Sequence, residues 1–258
     1  MRTITKPALV AVCAVIAAPA INAQVIEDFE TRATASANGS VLFHQPSFSG
    51  STSSKLDSTT GMPNLSQVVD TFPTGNDSTR ALNISFVFKV DAVSPWVRIT
   101  SSSASVDPNP TIDLNQNVSL TLWSDRAIGV ALGVRETDTT AAIGGNGGVA
   151  GSIEWVGVSG ASGGAPIPTR TLQPNTWTTI IFDIDAEGAA GFTGNGVIDK
   201  GVNGKGVLEH IAFVPLTGES GTYNIYVDNV AVTAVPEPGT MALFGAGAAA
   251  LLLRRRRK

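Results

Sequence analysis

Between Val25 and Ala234 the polar and apolar positions alternate in short runs. In ALNISFVFKV (81–90), Leu82, Ile84, Phe86 and Phe88 take one side and Asn83, Ser85 and Lys89 the other. That period of two is the mark of a half-buried strand. VSLTLW (118–123) puts Val118, Leu120 and Leu122 on one face, and AIGVALGVRE (127–136) does the same with Ile128, Val130, Leu132 and Val134. TWTTIIFDID (176–185) offers Ile180, Phe182 and Ile184, and LEHIAFVP (208–215) offers Leu208, Ile211 and Phe213. GTYNIYVDNVAVTAV (221–235) closes the set with Tyr223, Ile225 and Val227. Clusters of Gly, Asn, Ser and Pro punctuate these runs. No segment carries the i, i+3, i+4, i+7 apolar stripe of a helix. The pattern predicts an all-β body, a single antiparallel β-sandwich of jelly-roll type spanning roughly 200 residues.

Composition agrees. Aromatic residues make up 6% and charged residues 15% of the 258, while glycine reaches 27, a mix that suits turns and strands better than a helical bundle. The only cysteine, Cys13, falls near the N-terminus. The body then has no disulfide, CxxC zinc site or cysteine nucleophile.

The two ends break the pattern. MRTITKPALVAVCAVIAAPAINAQ has two cations, an apolar stretch from Ala8 to Ala18, then small residues ending at Ala23. This is the layout of a secretory signal peptide, predicted as a signal helix over 1–23 and cleaved after Ala23, with Ala20 as the alternative. A transmembrane anchor fits less well, because the run is short and Pro19 interrupts it. At the other end, 235–258 reads VPEPGTMALFGAGAAALLLRRRRK. The apolar run from Met241 to Leu253 would form a helix of about 20 Å at ~1.5 Å per residue, short of the roughly 20 residues a stable span needs. The basic cluster behind it would stay cytoplasmic.

Seven of the 17 Lys and Arg lie in residues 1–23 and 254–258, so 24–239 holds ten cations against all 21 carboxylates, a net near −11. Such a body repels nucleic acid and anionic membranes.

Pro236, Glu237, Pro238, the apolar run and Arg254, Arg255, Arg256 and Arg257 occur in the order of a PEP-CTERM sorting signal, which this tail resembles. The resemblance implies recognition and processing by an exosortase-type enzyme of a Gram-negative bacterium, with transient inner-membrane anchoring during export. The alternative is a tail that binds anionic lipid headgroups. A second resemblance lies in the body. VIEDFE, TWTTIIFDI and LEHIAFVPLTGESGTYNIYVDNV are similar to family 11 carbohydrate-binding modules and their galactose-binding-like relatives. It covers about a third of the body by our reading of strand order, and it implies first and last strands that lie side by side.

Three kinds of chemistry are then open to the body. A structural calcium ion wants six to eight oxygens. Glu27, Asp28, Glu30 and Asp228 could supply several if the termini meet, and the resemblance points the same way. The same acids serve equally as ordinary strand-end residues. Sugar binding needs exposed rings beside hydrogen-bonding groups. Trp123, out of phase with Leu120 and Leu122, is expected to point outward beside Asp125 and Arg126. Trp155, after the glycine loop 144–151, is the second candidate, and Trp177 is expected in the core. Finally, Asp183, Asp185 and Glu187 in DIDAE are the nearest thing to an acid pair for glycoside hydrolysis. They lack the Glu-x-Asp-x-x-Glu spacing of jelly-roll glycanases, and acids at a sheet edge commonly serve solubility.

With only His44 and His210, a transition-metal site or a Ser-His-Asp triad is not expected. The glycine loop lacks GxxxxGK[ST] and so is no phosphate site. The expected function is a non-enzymatic exported protein of the envelope or exopolysaccharide matrix that binds polysaccharide. The rivals are a structural or adhesive matrix protein without a ligand and a jelly-roll glycanase.

Overall fold

The computed structural model describes residues 23–37, 40–101, 109–136, 152–201, 203–216 and 221–233. The expected signal helix, the expected C-terminal apolar helix, the sorting-motif residues and the loop 144–151 lie outside them. Among the described residues no helix is long and apolar enough to cross a membrane.

Fifteen strands make up the described fold. They are β1 (Ala23–Glu27), β2 (Asn64–Val69), β3 (Ala81–Val87), β4 (Val97–Thr100), β5 (Thr111–Asp113), β6 (Asn117–Ser124), β7 (Ile128–Glu136) and β8 (Ile153–Val156). Then follow β9 (Val158–Ser162), β10 (Ala165–Pro168), β11 (Arg170–Leu172), β12 (Thr178–Phe182), β13 (Ala189–Gly191), β14 (Lys205–Pro215) and β15 (Thr222–Thr233). Among the described residues the one α-helix, α1 (Gly50–Ser53), has four residues.

Two antiparallel sheets face each other, as the alternation predicts. The first runs β12-β6-β15-β3-β2, with β1 added to the far end of β15. The second runs β13-β8-β7-β14-β4, with β11 on β7 and β5 on β14, and β9 and β10 form a separate two-stranded ribbon. Leu82, Ile84 and Phe86 of β3, Leu120 and Leu122 of β6, Ile225 and Val227 of β15, and Leu132, Ile211 and Phe213 of the second sheet belong to one core. Each of these side chains is fully buried, which stabilises by about 1.5–3 kcal/mol apiece before entropy is charged.

The step from Leu208 to Ile211 breaks strict alternation, and its cause is a bulge. The β14–β7 register shifts between Leu208 and His210, so one extra residue on β14 returns Ile211 and Phe213 to the inner face.

The first and last strands do lie side by side: Ala23 pairs with Thr233 and Glu27 with Val230. Just beyond β1, Phe29 sits at φ 63°, a left-handed conformation that costs roughly 1–2 kcal/mol for an L-residue. Full burial of its ring and a bond from its N–H to Glu27 Oε1 at 2.8 Å offset that cost. The turn is held because the phenyl ring is a core residue.

Candidate functional site

Strand alternation turns one set of side chains on the first sheet away from the core: Thr179 on β12, Thr121 and Trp123 on β6, and Asn224 and Tyr226 on β15. Cross-strand register aligns them, with Thr179 opposite Thr121 and Tyr226 opposite Trp123. Trp177 enters β12 from one side and Phe72 leaves the loop after β2 on the other. The rings form a continuous set of contacts. Centroids lie 6.0 Å apart for Phe72–Trp177, 6.4 Å for both Phe72–Tyr226 and Trp177–Tyr226, and 5.5 Å for Trp123–Tyr226. Trp177 is fixed by its Nε1–H, which donates to the Pro73 carbonyl at 2.9 Å.

Beside these rings runs an open cleft of about 640 Å³, lined by Glu30, Asn76, Asp77, Thr121, Trp177 and Thr179 among others. The lining mixes an indole face with hydroxyls, an amide and carboxylates. Thr121 and Thr179 hydroxyls share a bond at 3.0 Å. Tyr226 has its phenol pKa raised by burial and by the nearby Asp125 carboxylate, so its hydroxyl stays a donor. Asp125 in turn accepts both the backbone N–H of Asn224 at 3.0 Å and its side-chain amide at 2.7 Å.

At the end of the cleft two acids approach. Asp228 is fully buried. Its Oδ2 accepts from Asn76 at 2.6 Å, Ser78 at 2.5 Å and Asn229 at 3.0 Å. Burial raises its pKa against those bonds, and the charge of Glu30 raises it further. Glu30 is shifted the other way, chiefly by the Thr79 hydroxyl it accepts.

The four acids expected to hold calcium are thus only partly brought together. Glu27 spends Oε2 on the Arg32 guanidinium, with Nε at 2.8 Å, and Asp28 caps the Glu30 backbone N–H at 3.1 Å. Among the described residues no group of three or more His, Cys, Asp or Glu is arranged to hold a metal ion.

Of the tryptophans, Trp123 lies on the outer face as expected but is only 9% exposed, beneath Tyr226. Trp155 must be corrected: it is completely buried. It points away from the main core too, but into a second cluster with Trp96, Val158, Ala190 and Phe192, where its Nε1–H donates to the Gly164 carbonyl at 3.0 Å. Elements that cross the outer face of the second sheet cover it. Trp177 is the opposite case, a half-buried cleft residue where the core was expected. Sequence reasoning also missed Phe72 and Tyr226. Tyr226 had a readable signal, since it is out of phase with Tyr223, Ile225 and Val227. Phe72, in a loop, had none.

The DIDAE acids are engaged elsewhere. Asp183 Oδ1 accepts the backbone N–H groups of Asp185 and Ala186 at 3.0 Å each, Asp185 pairs with Lys200, and Glu187 bonds Arg170 at 2.6 Å.

The fold therefore defines an antiparallel β-sandwich of jelly-roll type, with a polar cleft bordered by Trp177 on the outer face of the sheet that holds the first and last described strands. Its destination is set by the tail: residues 234–257 match the PEP-CTERM protein-sorting motif, which marks the chain for export to the cell envelope. Among solved structures it is similar to the family 11 carbohydrate-binding module of a cellulosomal cellulase of Clostridium thermocellum, at 12% identity and a TM-score of 0.42, covering 84% of this chain and 96% of that one. The same organism's family 11 module in complex with a β-1,3-1,4-mixed-linked tetrasaccharide is similar at 13% identity and a TM-score of 0.34, with 67% and 85% covered. No curated protein matches the sequence.

Proposed function

We propose that this is a non-enzymatic protein of the cell envelope or exopolysaccharide matrix, and that its sandwich binds an uncharged polysaccharide along the outer face of the first sheet. One observation carries the reading: the Trp177 ring, backed by contacts to Phe72 and Tyr226, lines a cleft of about 640 Å³ furnished with hydroxyl, amide and carboxylate groups. Pyranose rings present C–H faces that stack on aromatic rings and hydroxyls that bond such groups. Glu30 and Asp77 on the lining, within an acidic body, disfavour a uronate-rich chain. The engagement of Asp183, Asp185 and Glu187 in turn and ion-pair contacts supports binding over hydrolysis.

The finer export route belongs to the same proposal. The signal segment is removed near Ala23, an exosortase-type enzyme reads the Pro236–Glu237–Pro238 tail, and that tail holds the protein at the inner membrane only transiently. A calcium ion, if bound, would have its place between Glu30 and Asp228, because Glu27 is already paired with Arg32. Asn76 and Ser78 could each turn an oxygen toward it after a side-chain rotation. In that place the ion would offset like charge and tie the 75–79 loop to β15. Added calcium should then raise the melting temperature of EDTA-treated protein, and Asp228→Asn should remove that response.

Native affinity electrophoresis tests the glycan reading. Retardation in gels containing a neutral β-glucan, xyloglucan or galactomannan, but not alginate, is the expected result. No retardation by any polysaccharide would remove it and leave a ligand-free structural protein.

A further inference from the structure

We propose that Asp228 is the positioning residue of the cleft: its carboxylate pins the 70–80 loop to the first sheet and, through that loop, sets the Trp177 ring on which a sugar stacks. The stacking role rests on the glycan reading, whereas the pinning stands on the hydrogen bonds alone.

β15 turns Asn224, Tyr226 and Asp228 outward in one row, and register sets Tyr226 opposite Trp123 and Asp228 opposite Thr121. A carboxylate on an outward row is ordinarily solvated, yet Asp228 is completely buried. Its cover is the loop 70–80, which joins β2 to β3 beyond the Val69–Ala81 pair. That loop is longer than the about 2–5 residues of a common hairpin connection. Among the described residues no backbone–backbone bond holds 71–79, so side chains place it.

They do so at three points. At its start Phe72 packs on Trp177 and Tyr226, and the Pro73 carbonyl accepts the Trp177 Nε1–H. At its end Glu30 Oε1 accepts the Thr79 backbone N–H at 2.7 Å, and Arg80 Nη1 donates to the Glu30 and Arg32 carbonyls at 2.8 and 2.6 Å. Asp228 holds the middle, where Asn76 and Ser78 both donate to its Oδ2. Bonds to a carboxylate are the strong kind. The bulge after Asp228 puts Asn229 at φ 46° and turns its backbone N–H onto Oδ1 at 2.8 Å, so β15 itself aims the carboxylate.

The path from there to the indole is short. Gly75, next to Asn76, has φ 104°, and a Cβ on it would stand 3.5 Å from Trp177 Cδ1. The loop backbone therefore lies against the indole one residue from the amide that Asp228 holds. Asn76 and Ser78 also line the cleft with Trp177, so releasing them shifts wall and ring together.

Acrylamide quenching of tryptophan fluorescence reads the ring directly, in EDTA so that calcium takes no part. Trp177 is half-buried, whereas Trp96, Trp123 and Trp155 are 9% exposed or less, and Trp177→Phe supplies the baseline. Asp228→Ala should at least double the quenching constant of the Trp177 contribution. It should also weaken retardation in gels of neutral β-glucan, xyloglucan or galactomannan at least tenfold. Asn76→Ala and Ser78→Ala cut the same bonds from the loop side and should each give an intermediate rise; they carry the test where Asp228→Ala does not fold. Ile211→Val, in the core, should lower the melting temperature and leave quenching unchanged, which is also what a merely structural Asp228 would do. Unchanged quenching in every loop or Asp228 variant that folds, or quenching that rises while retardation stays at the wild-type level, would overturn the proposal. A wild type that no polysaccharide retards would remove the glycan reading, and quenching would then decide the pinning by itself.

Discussion

The outer faces of the two sheets begin alike and end differently. Each carries tryptophan out of phase with the core: Trp123 on the first sheet, Trp155 on the second. On the first sheet the neighbours at outward positions are Asn83, Ser85, Ser119, Thr121 and Thr179, polar and compact, and that face keeps an open cleft. On the second they are Gly133, Ala131, Ala212 and His210. There Trp155 packs edge-on to Trp96 at 5.8 Å and against Phe192 at 5.2 Å. The contrast teaches that a strand's outward row reports what will lie over it. Polar residues leave a face for solvent and ligand, while Gly and Ala make room for a bulky cover.

The covered face also contains a charged centre. Arg98 Nη1 donates to His210 Nε2 at 2.7 Å. Since guanidinium has no acceptor, the imidazole must carry its proton on Nδ1. His210 is fully buried, and burial, then the charges of Arg98 and Arg135, push its pKa well below the ordinary value. Glu209 compensates by holding Arg135 at 2.7 Å. The pairing is incomplete, since among the described residues Arg98 Nε and His210 Nδ1 are buried without a hydrogen-bond partner. Breaking one partner leaves an uncompensated charge.

The comparison can be broken most sharply at Trp155. Trp155→Ala should cost about 3–5 kcal/mol in urea unfolding, as large-to-small changes in packed sites do. A loss as small as that of an exposed residue would mean the second face is open. Next is Gly133, where an added Cβ would come within 2.8 Å of both the His210 Cβ and Trp155 Cζ3. Gly133→Ala should lose about 1–3 kcal/mol through overpacking, measured the same way. The His210 centre gives a pH signature. Its folded pKa is depressed, so the unfolded chain takes up the proton first. Its contribution is fully present above about pH 6.5 and is lost as pH falls, by up to ~1.4 kcal/mol per unit. The slope of stability between pH 7 and 5.5 should be shallower in His210→Gln, and an unchanged slope would remove the residue from the account. Smallest in stability is Trp177→Ala, expected to lose about 1 kcal/mol, the order of one net hydrogen bond, while the melting transition stays cooperative.

How much of this was legible follows the same physics. The strands containing Leu82, Leu120, Leu132, Ile180 and Tyr223 were readable because their inner faces are apolar and their period is two. The pairing of β1 with β15 was readable only through a resemblance, since no local pattern encodes which strands pair. Trp155 misled because alternation tells which side a residue takes and is silent on what crosses that side. The small residues of AIGVALGVRE were the missed clue. Trp177 misled for the reverse reason: an aromatic ahead of an apolar strand reads as core, yet here the strand begins one residue later and its ring turns to Pro73 and Phe72. Glu30 and Asp228 approach each other, but Arg32 and Thr79, which decide what Glu27 and Glu30 bond, are invisible to spacing.

The most direct measurement is affinity electrophoresis of the wild type, Trp177→Ala and Trp155→Phe in gels with and without neutral polysaccharide. The account predicts retardation of the wild type and of Trp155→Phe, with that of Trp177→Ala reduced at least tenfold in apparent affinity. Wild-type retardation that survives in Trp177→Ala and disappears in Trp155→Phe would place the ligand on the other sheet and contradict it.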